Sequence, residues 1–286
     1  MSSVMQRERV TEDIFVFTSD LYVQVTAGVV ITTAGAVVID TLLYPEETRA
    51  IRHFVEERLG TVVKYVINTH FHADHTTGTC FFPRAQVIAH RLCRELLNTR
   101  GREGLESMKQ ASAEMRDVDL VLPNIVFDDE FTLHVGNKTF HMRHTPGHSM
   151  DSIVVHVQQD QVLFAADTLM PIPYFVDGSY DDFLTSLDSL RNLGFENIIQ
   201  GHGEVILRGE VEDKIESDVQ YLHTLSREVE QALTDTDAEQ ALAAIDIERC
   251  GKSRILLNGV AEQLHRNNVL ALASLRRQQA KTPFAE

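Results

Sequence analysis

Five histidines and two aspartates limit what this chain can fold into more than any other feature. Four of them are packed into His70-Phe71-His72-Ala73-Asp74-His75. His148 follows in Thr145-Pro146-Gly147-His148-Ser149, Asp167 in Ala165-Ala166-Asp167-Thr168, and His202 in Gly201-His202-Gly203. Each group comes after an apolar run that reads as a strand, so the donors stand at strand ends on separate loops that can converge. His70 and His72 are two residues apart, and an extended segment points both the same way. Asp74 and His75 follow where a turn can aim them at a second metal. Imidazole nitrogen and carboxylate oxygen suit zinc and similar metals, whereas burying so many ionisable groups without a cation is costly. The pattern predicts a two-metal hydrolytic centre. In such a centre, metals about 3.5–4 Å apart share a water that ionises near neutral pH and attacks a carbonyl or phosphoryl group. No Ser-His-Asp or Cys-His nucleophile is needed, and none is evident.

These motifs resemble those of the metallo-β-lactamase-fold superfamily of metallohydrolases. Asp40, in Val37-Val38-Ile39-Asp40-Thr41, is similar to that family's first motif, so five motifs occur in order over roughly residues 12 to 206. The resemblance implies an α/β chain folded as a four-layer αββα sandwich with the metals at one edge. It implies one metal on His70, His72 and His148 and a second on Asp74, His75 and His202, with Asp167 bridging. Asp40 would then orient ligands from behind. Asp74 would be the catalytic group that holds the hydroxide and passes a proton to the leaving group. The implied cofactors are two divalent metal ions, zinc first, with iron or manganese accepted by the same donors.

Departures within the resemblance narrow the function. β-Lactamases of this fold usually carry Cys or Ser where this chain has Asp167. A bridging Asp is typical of the thioesterase, lactonase, phosphodiesterase and nuclease branches. Flavodiiron proteins usually carry Glu in place of His72 and need a flavin-binding domain, of which there is no sign. Glyoxalase II would show Cys-Gly-His-Glu where this chain reads Gly201-His202-Gly203-Glu204, and a basic cluster near its end. The expected function is metal-dependent hydrolysis of a small-molecule ester, lactone or thioester through a metal-bound hydroxide. The alternatives are a mononuclear-iron dioxygenase of the persulfide dioxygenase type and a phosphodiesterase or nuclease.

Composition bounds the partners. A net charge of −16 disfavours a polyanion held in a basic groove, so no nucleic acid is expected. No run approaches the ~20 apolar residues of a membrane span, and Met1 to Arg9 lack the apolar stretch of a signal peptide. Three scattered cysteines, Cys80, Cys93 and Cys250, fit a reducing cytoplasm better than a disulfide framework. The expectation is a cytoplasmic enzyme of a small molecule.

The pattern along the chain suggests a catalytic region over residues 1–206 and a helical extension over 207–286. Val29 to Thr32 and Ala36 to Ile39 flank Thr33-Ala34-Gly35, a hairpin signal. Pro45 opens a helix that Gly60 closes, and the strand 62–67 delivers His70, which together make a parallel βαβ unit. Residues 91–117 read as a helical insertion bordering the site or packed on the sheet. The loop from Leu169 to Asp177 places Tyr174 and Phe175 either as substrate contacts or as core filling. From residue 207 the apolar spacing of three and four indicates helices only. Such a tail packs on its own domain by default; capping the site or forming a homodimer are its other uses.

Overall fold

The computed structural model describes residues 5–281. Residues 1–4 of the segment read for a leader, and residues 282–286 of the expected extension, lie outside the described residues. Side-chain alternation sorts the strands into layers. In Gly35–Ile39, Val37 and Ile39 join one apolar cluster while Ala36 and Val38 join another, as a period of two requires.

The first sheet runs in chain order: β1 (Met5–Arg9), β2 (Ile14–Ser19), β3 (Thr26–Thr32), β4 (Gly35–Ile39), β5 (Val63–Ile67), β6 (Gln86–His90) and β7 (Ile125–Phe127). Pairing is antiparallel up to β4 and parallel from β4 to β7. The second sheet holds β8 (Glu130–Val135), β9 (Lys138–His144), β10 (Ile153–Val157), β11 (Val162–Ala166), β12 (Asn197–Gln200) and β13 (Val205–Leu207). Within it only β11 and β12 are parallel. Ile14, Val30, Ile39 and Ile67 of the first sheet meet Phe140, Met142, Val155 and Phe164 of the second in the central core.

Helices cover both outer faces. α1 (Pro45–His53) starts with proline at its first turn, where the missing N–H costs nothing. Its Ile51 packs with Val29 and Val38 on the first sheet. Gly60, at φ +64, lets the chain turn back into β5. α2 (Ala73–Thr76) is a single turn within the donor segment. α3 (Arg91–Leu96), a π-helical turn over Leu97–Gly101 and α4 (Arg102–Ala111) fill the predicted insertion.

On the second sheet, α5 (Tyr180–Asp188), α6 (Val211–Ala232), α7 (Ala238–Ala243) and α8 (Val260–Lys281) share one cluster with Leu163, Ala165 and Ile198. The order of layers is helix, sheet, sheet, helix, as expected. The C-terminal helices are part of the outer layer rather than a detached appendage. No helix of the described residues is long and apolar enough to cross a membrane.

Glu47, in the first turn of α1, is buried with neither carboxyl oxygen in a hydrogen bond of good geometry. Burial pushes it up to about 7, against the pull of the nearby Ser19 hydroxyl. The folded chain then keeps a proton that the unfolded chain releases near 4.5. Stability from this group therefore falls as pH rises from about 4.5 to about 7. Glu47→Gln is expected to stabilise by about 2 kcal/mol above pH 7 and to have no effect below pH 4.5. Urea unfolding at both pH values checks this; an equal effect at each would disprove it.

Candidate metal centre

The donors come from the carboxyl ends of strands, where ligands gather in open α/β sheets. Asp40 follows β4, His70 to His75 follow β5, His148 follows β9, Asp167 follows β11 and His202 follows β12. The backbone there is strained: Asp40, Leu42 and Ala166 have φ of 55, 63 and 46, conformations that persist only where surroundings enforce them. Gly201 must be glycine, because a Cβ there would stand 1.8 Å from Asp167 Oδ1.

All seven predicted donors are brought together. Donor atoms of His70, His72 and His148 form one group, those of His70, His75 and Asp167 another, and those of Asp74, His75 and His202 a third. His72 Nδ1 lies 3.0 Å from His70 Nε2 and 2.9 Å from His148 Nε2. Asp167 Oδ2 lies 3.2 Å from His148 Nε2 and 3.5 Å from His202 Nε2, and its Oδ1 is 3.3 Å from His75 Nε2. Asp74 Oδ2 is 3.4 Å from His202 Nε2 and 3.7 Å from His75 Nε2.

The hydrogen-bond network assigns every tautomer. His75 donates Nδ1–H to Asp40 Oδ2 at 2.8 Å. Thr69 spends its hydroxyl hydrogen on the same carboxylate at 2.7 Å, so its oxygen accepts from His70 Nδ1–H at 3.1 Å. His148 Nδ1–H donates to the Tyr174 carbonyl at 2.7 Å and His202 Nδ1–H to the Val23 carbonyl at 2.8 Å. His72 is turned the other way round: its Nε2–H donates to Asp177 Oδ2 at 2.9 Å, leaving Nδ1 inward. With every ring neutral, as a metal ligand must be, five imidazole lone pairs face one another.

Electrostatics divides these groups. Burial, then His75 and His72, drives His70 well below the usual imidazole range, and burial lowers His148 to about 4. Burial also disfavours charge on His75 and His202, but Asp167 and Asp74 raise both, with Asp40 adding to the rise at His75. Burial would raise Asp167, yet His202, His75 and His148 hold it well below the usual carboxylate range.

Divalent cations fit this donor set. His75 Nε2 and Asp167 Oδ1 are buried without a hydrogen-bond partner, which is costly for polar atoms unless something else satisfies them. Lone pairs 2.9–3.0 Å apart with no proton between them repel unless a cation lies among them.

Of the two aromatics singled out from the sequence, the structure separates one from the site. Phe175 is not a pocket wall: it is buried in the outer core, edge-on to Tyr180 at 5.7 Å. Its ring is large and apolar, and the core under the loop was the place to bury it. Tyr174 stays beside the centre, its ring centroid 6.0 Å from that of His148 and its hydroxyl accepting from Asn267 of α8. His144, the last residue of β9, stacks on His90 at 4.0 Å rather than joining the donors.

Three residues near the donors escaped the sequence patterns. Asp177 holds His72 and accepts Arg100 Nη2 on its other oxygen at 2.8 Å. Tyr22 is 37% exposed as a residue, but shielding at its hydroxyl end, then the charge of Asp74, with Tyr44, Asp167 and Tyr174 adding, pushes that hydroxyl upward. None of these lies in a donor-rich string; only an aspartate at the end of a proline-stiffened loop hinted at Asp177. That loop is pinned from the C-terminal helices. Asn268 of α8 donates to the Pro173 carbonyl at 2.7 Å and accepts from Phe175 N at 3.4 Å. Lys214 of α6, paired with Asp218, donates to the Met170 carbonyl at 2.8 Å.

Comparison with known proteins agrees with this geometry. Residues 22–202 match the family model described as the metallo-beta-lactamase superfamily. The chain is 26% identical over 174 residues to the beta-lactamase-like protein 2 homolog of Caenorhabditis elegans, covering 60% of this chain and 52% of that one. It is 28% identical to a hydroxyacylglutathione hydrolase of Rhodopseudomonas palustris, covering 61% of this chain and 62% of that one. It is 30% identical to the acyl-coenzyme A thioesterase MBLAC2 of Bos taurus, covering 48% and 54%. The chain thus spans between about half and three-fifths of the length of these curated relatives. Among solved structures, the metallo-beta-lactamase from Pontibacter korlensis superposes with a TM-score of 0.61 at 18% identity, over 74% of this chain and 97% of that one. That likeness concerns the fold.

Asp177→Ala removes the acceptor that fixes the His72 ring. Metal affinity is expected to drop about 10–100-fold with far-UV circular dichroism unchanged, the usual cost of losing such a partner. Competition with a chromophoric chelator measures it, and unaltered affinity would show that packing alone holds His72.

Proposed function

The chain belongs to the metallo-beta-lactamase superfamily, and from that premise we propose that it is a dinuclear metal-dependent hydrolase of a small-molecule ester, lactone or thioester, with the thioester favoured. The observation that carries this is the inward convergence of five tautomer-locked imidazoles and two carboxylates around the unpartnered His75 Nε2 and Asp167 Oδ1. One relative is named an acyl-coenzyme A thioesterase and another a hydroxyacylglutathione hydrolase, which supports the thioester over the lactone. His70, His72 and His148 would hold one divalent ion, Asp74, His75 and His202 a second, with Asp167 between them. Zinc suits this nitrogen-rich set, and iron or manganese can occupy it too.

Bound there, such ions supply Lewis acidity toward the substrate oxygen and a water that ionises near neutral pH. The chain's own residues orient groups and move protons. Asp40, Thr69, Asp177 and the carbonyls of Val23 and Tyr174 keep every donor nitrogen aimed at the centre, so no reorganisation is needed when charge develops. Asp74 directs Oδ2 toward His202 and His75. Its Oδ1 takes the proton of the attacking water and returns it to the leaving group. Tyr174 offers a phenol beside His148 that would donate to a substrate oxygen.

Purified without chelators, the protein is expected to carry close to two metal ions per chain and to hydrolyse acyl thioesters. His72→Ala and Asp167→Ala should each lose bound metal and lower kcat/KM by about a thousandfold, on the scale of several kcal/mol of lost charge stabilisation. Elemental mass spectrometry with a panel of thioesters, esters, lactones and bis(p-nitrophenyl) phosphate decides. One iron per chain with no hydrolysis would overturn the proposal. Tyr174→Phe should lower kcat about tenfold at unchanged metal content, within the range of one proton-handling group; unchanged kinetics would leave Tyr174 a packing residue.

A further inference from the structure

Between the α3–α4 insertion and the donor segment lies a cavity of about 180 Å³. Leu97, Leu105, Met108, Val118 and Leu120 wall it with Phe71. It occupies a seam in the packing. Leu105 and Val118 belong to one small apolar cluster, Phe71 and Leu97 to a second, and Leu120 packs against both. Protein interiors normally close such gaps. Gly101 and Gly104 line it without side chains; Gly104 is exposed at its rim, where a Cβ would meet nothing within 4 Å. Gly101 ends the π-helical turn Leu97–Gly101, and such turns often occur at functional sites.

The cavity lies against the donor segment, with His72 the one metal-donor side chain in its wall. Its wall includes His72, Ala73 and Thr76 of the donor segment. Arg100 also borders it, held by Asp177 and lying 4.8 Å over the Phe71 ring. That arrangement uses the face of Phe71, so a flat ring entering the cavity would find no stacking partner there, whereas a flexible chain needs none. A dry apolar cavity of about 150 Å³ accommodates benzene, so this one has volume for about six carbons, with Arg100 and Asp119 forming its polar side.

We propose that this cavity binds an unbranched aliphatic chain of about six carbons carried by the substrate. The inference rests on the hydrolase function above and names its substrate class: a medium-chain acyl or alkyl ester or thioester, with the tail threaded past His72 beneath α3 and α4. Each methylene moved from water into such a site is worth about fourfold in kcat/KM.

Two substrate series on the metal-loaded protein test it and separate the two ends of the scissile bond. One lengthens the acyl group of p-nitrophenyl esters from acetyl to dodecanoyl, and the other lengthens the S-alkyl group of thioacetates from methyl to octyl. In one series kcat/KM should rise about fourfold per methylene and level off near six carbons. Gly104→Leu places a bulky side chain at the exposed rim of the cavity, in a residue that favours helix more than glycine does. It should lower the hexanoyl-to-acetyl ratio, or its alkyl counterpart, about tenfold or more. Flat profiles in both series, an unchanged ratio in the variant, or benzoyl preferred to hexanoyl would each overturn the pocket. If nothing is hydrolysed, the function fails separately, and binding decides the cavity. Hexanoate should then raise the melting temperature of the unmodified protein and not of Gly104→Leu, while equal shifts would overturn it.

Discussion

Everything at the centre depends on what the backs of the imidazoles touch. A histidine has two nitrogens, and a ring free to choose its tautomer presents a proton as readily as a lone pair. Here Asp40, Thr69, Asp177 and the carbonyls of Val23 and Tyr174 each take one N–H, and the choice is made before any ligand arrives. Five lone pairs and two carboxylates then share a buried volume that only cations satisfy well. The strained turns at Asp40 and Ala166 and the bare backbone at Gly201 follow from that demand. They bring the strand ends closer than ordinary packing would ask.

Much of this was visible in one dimension because donor chemistry clusters in the sequence. His70 to His75 lie in one string, and His148, Asp167 and His202 each follow an apolar run. The central strands were legible from alternation and β-branched content, and the C-terminal helices from spacing. β1 was not, since four of its residues, Gln6 to Arg9, are polar and exposed and the strand pairs only along an edge. β6, β7 and β13 are short strands whose place is set by their neighbours. Asp177 was hidden for another reason: it lies 105 residues from His72, and only the fold makes them adjacent. Phe175 shows the opposite failure. An aromatic near a site looks functional in sequence, but the core claims it when its side of the loop faces inward.

The insertion and the loop from Leu169 to Asp177 play complementary parts. Arg100 of the insertion and His72 of the donor segment meet on one carboxylate of that loop, so a shift in either is felt by a donor ring. Helix packing on the outer face of the second sheet is therefore also site architecture: α6 and α8 hold the loop that holds His72 and His148.

That dependence has an order in time. A ribosome delivers this chain from its N-terminus, so the string His70 to His75 leaves the tunnel long before Asn268 exists. Until α8 docks, the loop supplying the Tyr174 carbonyl and the Asp177 carboxylate lacks its clamp, and two of the five rings keep their rotational freedom. The last of the clamps on the centre is thus among the last parts of the chain to be made, although His70 to His75, four of the seven donors, are synthesised early.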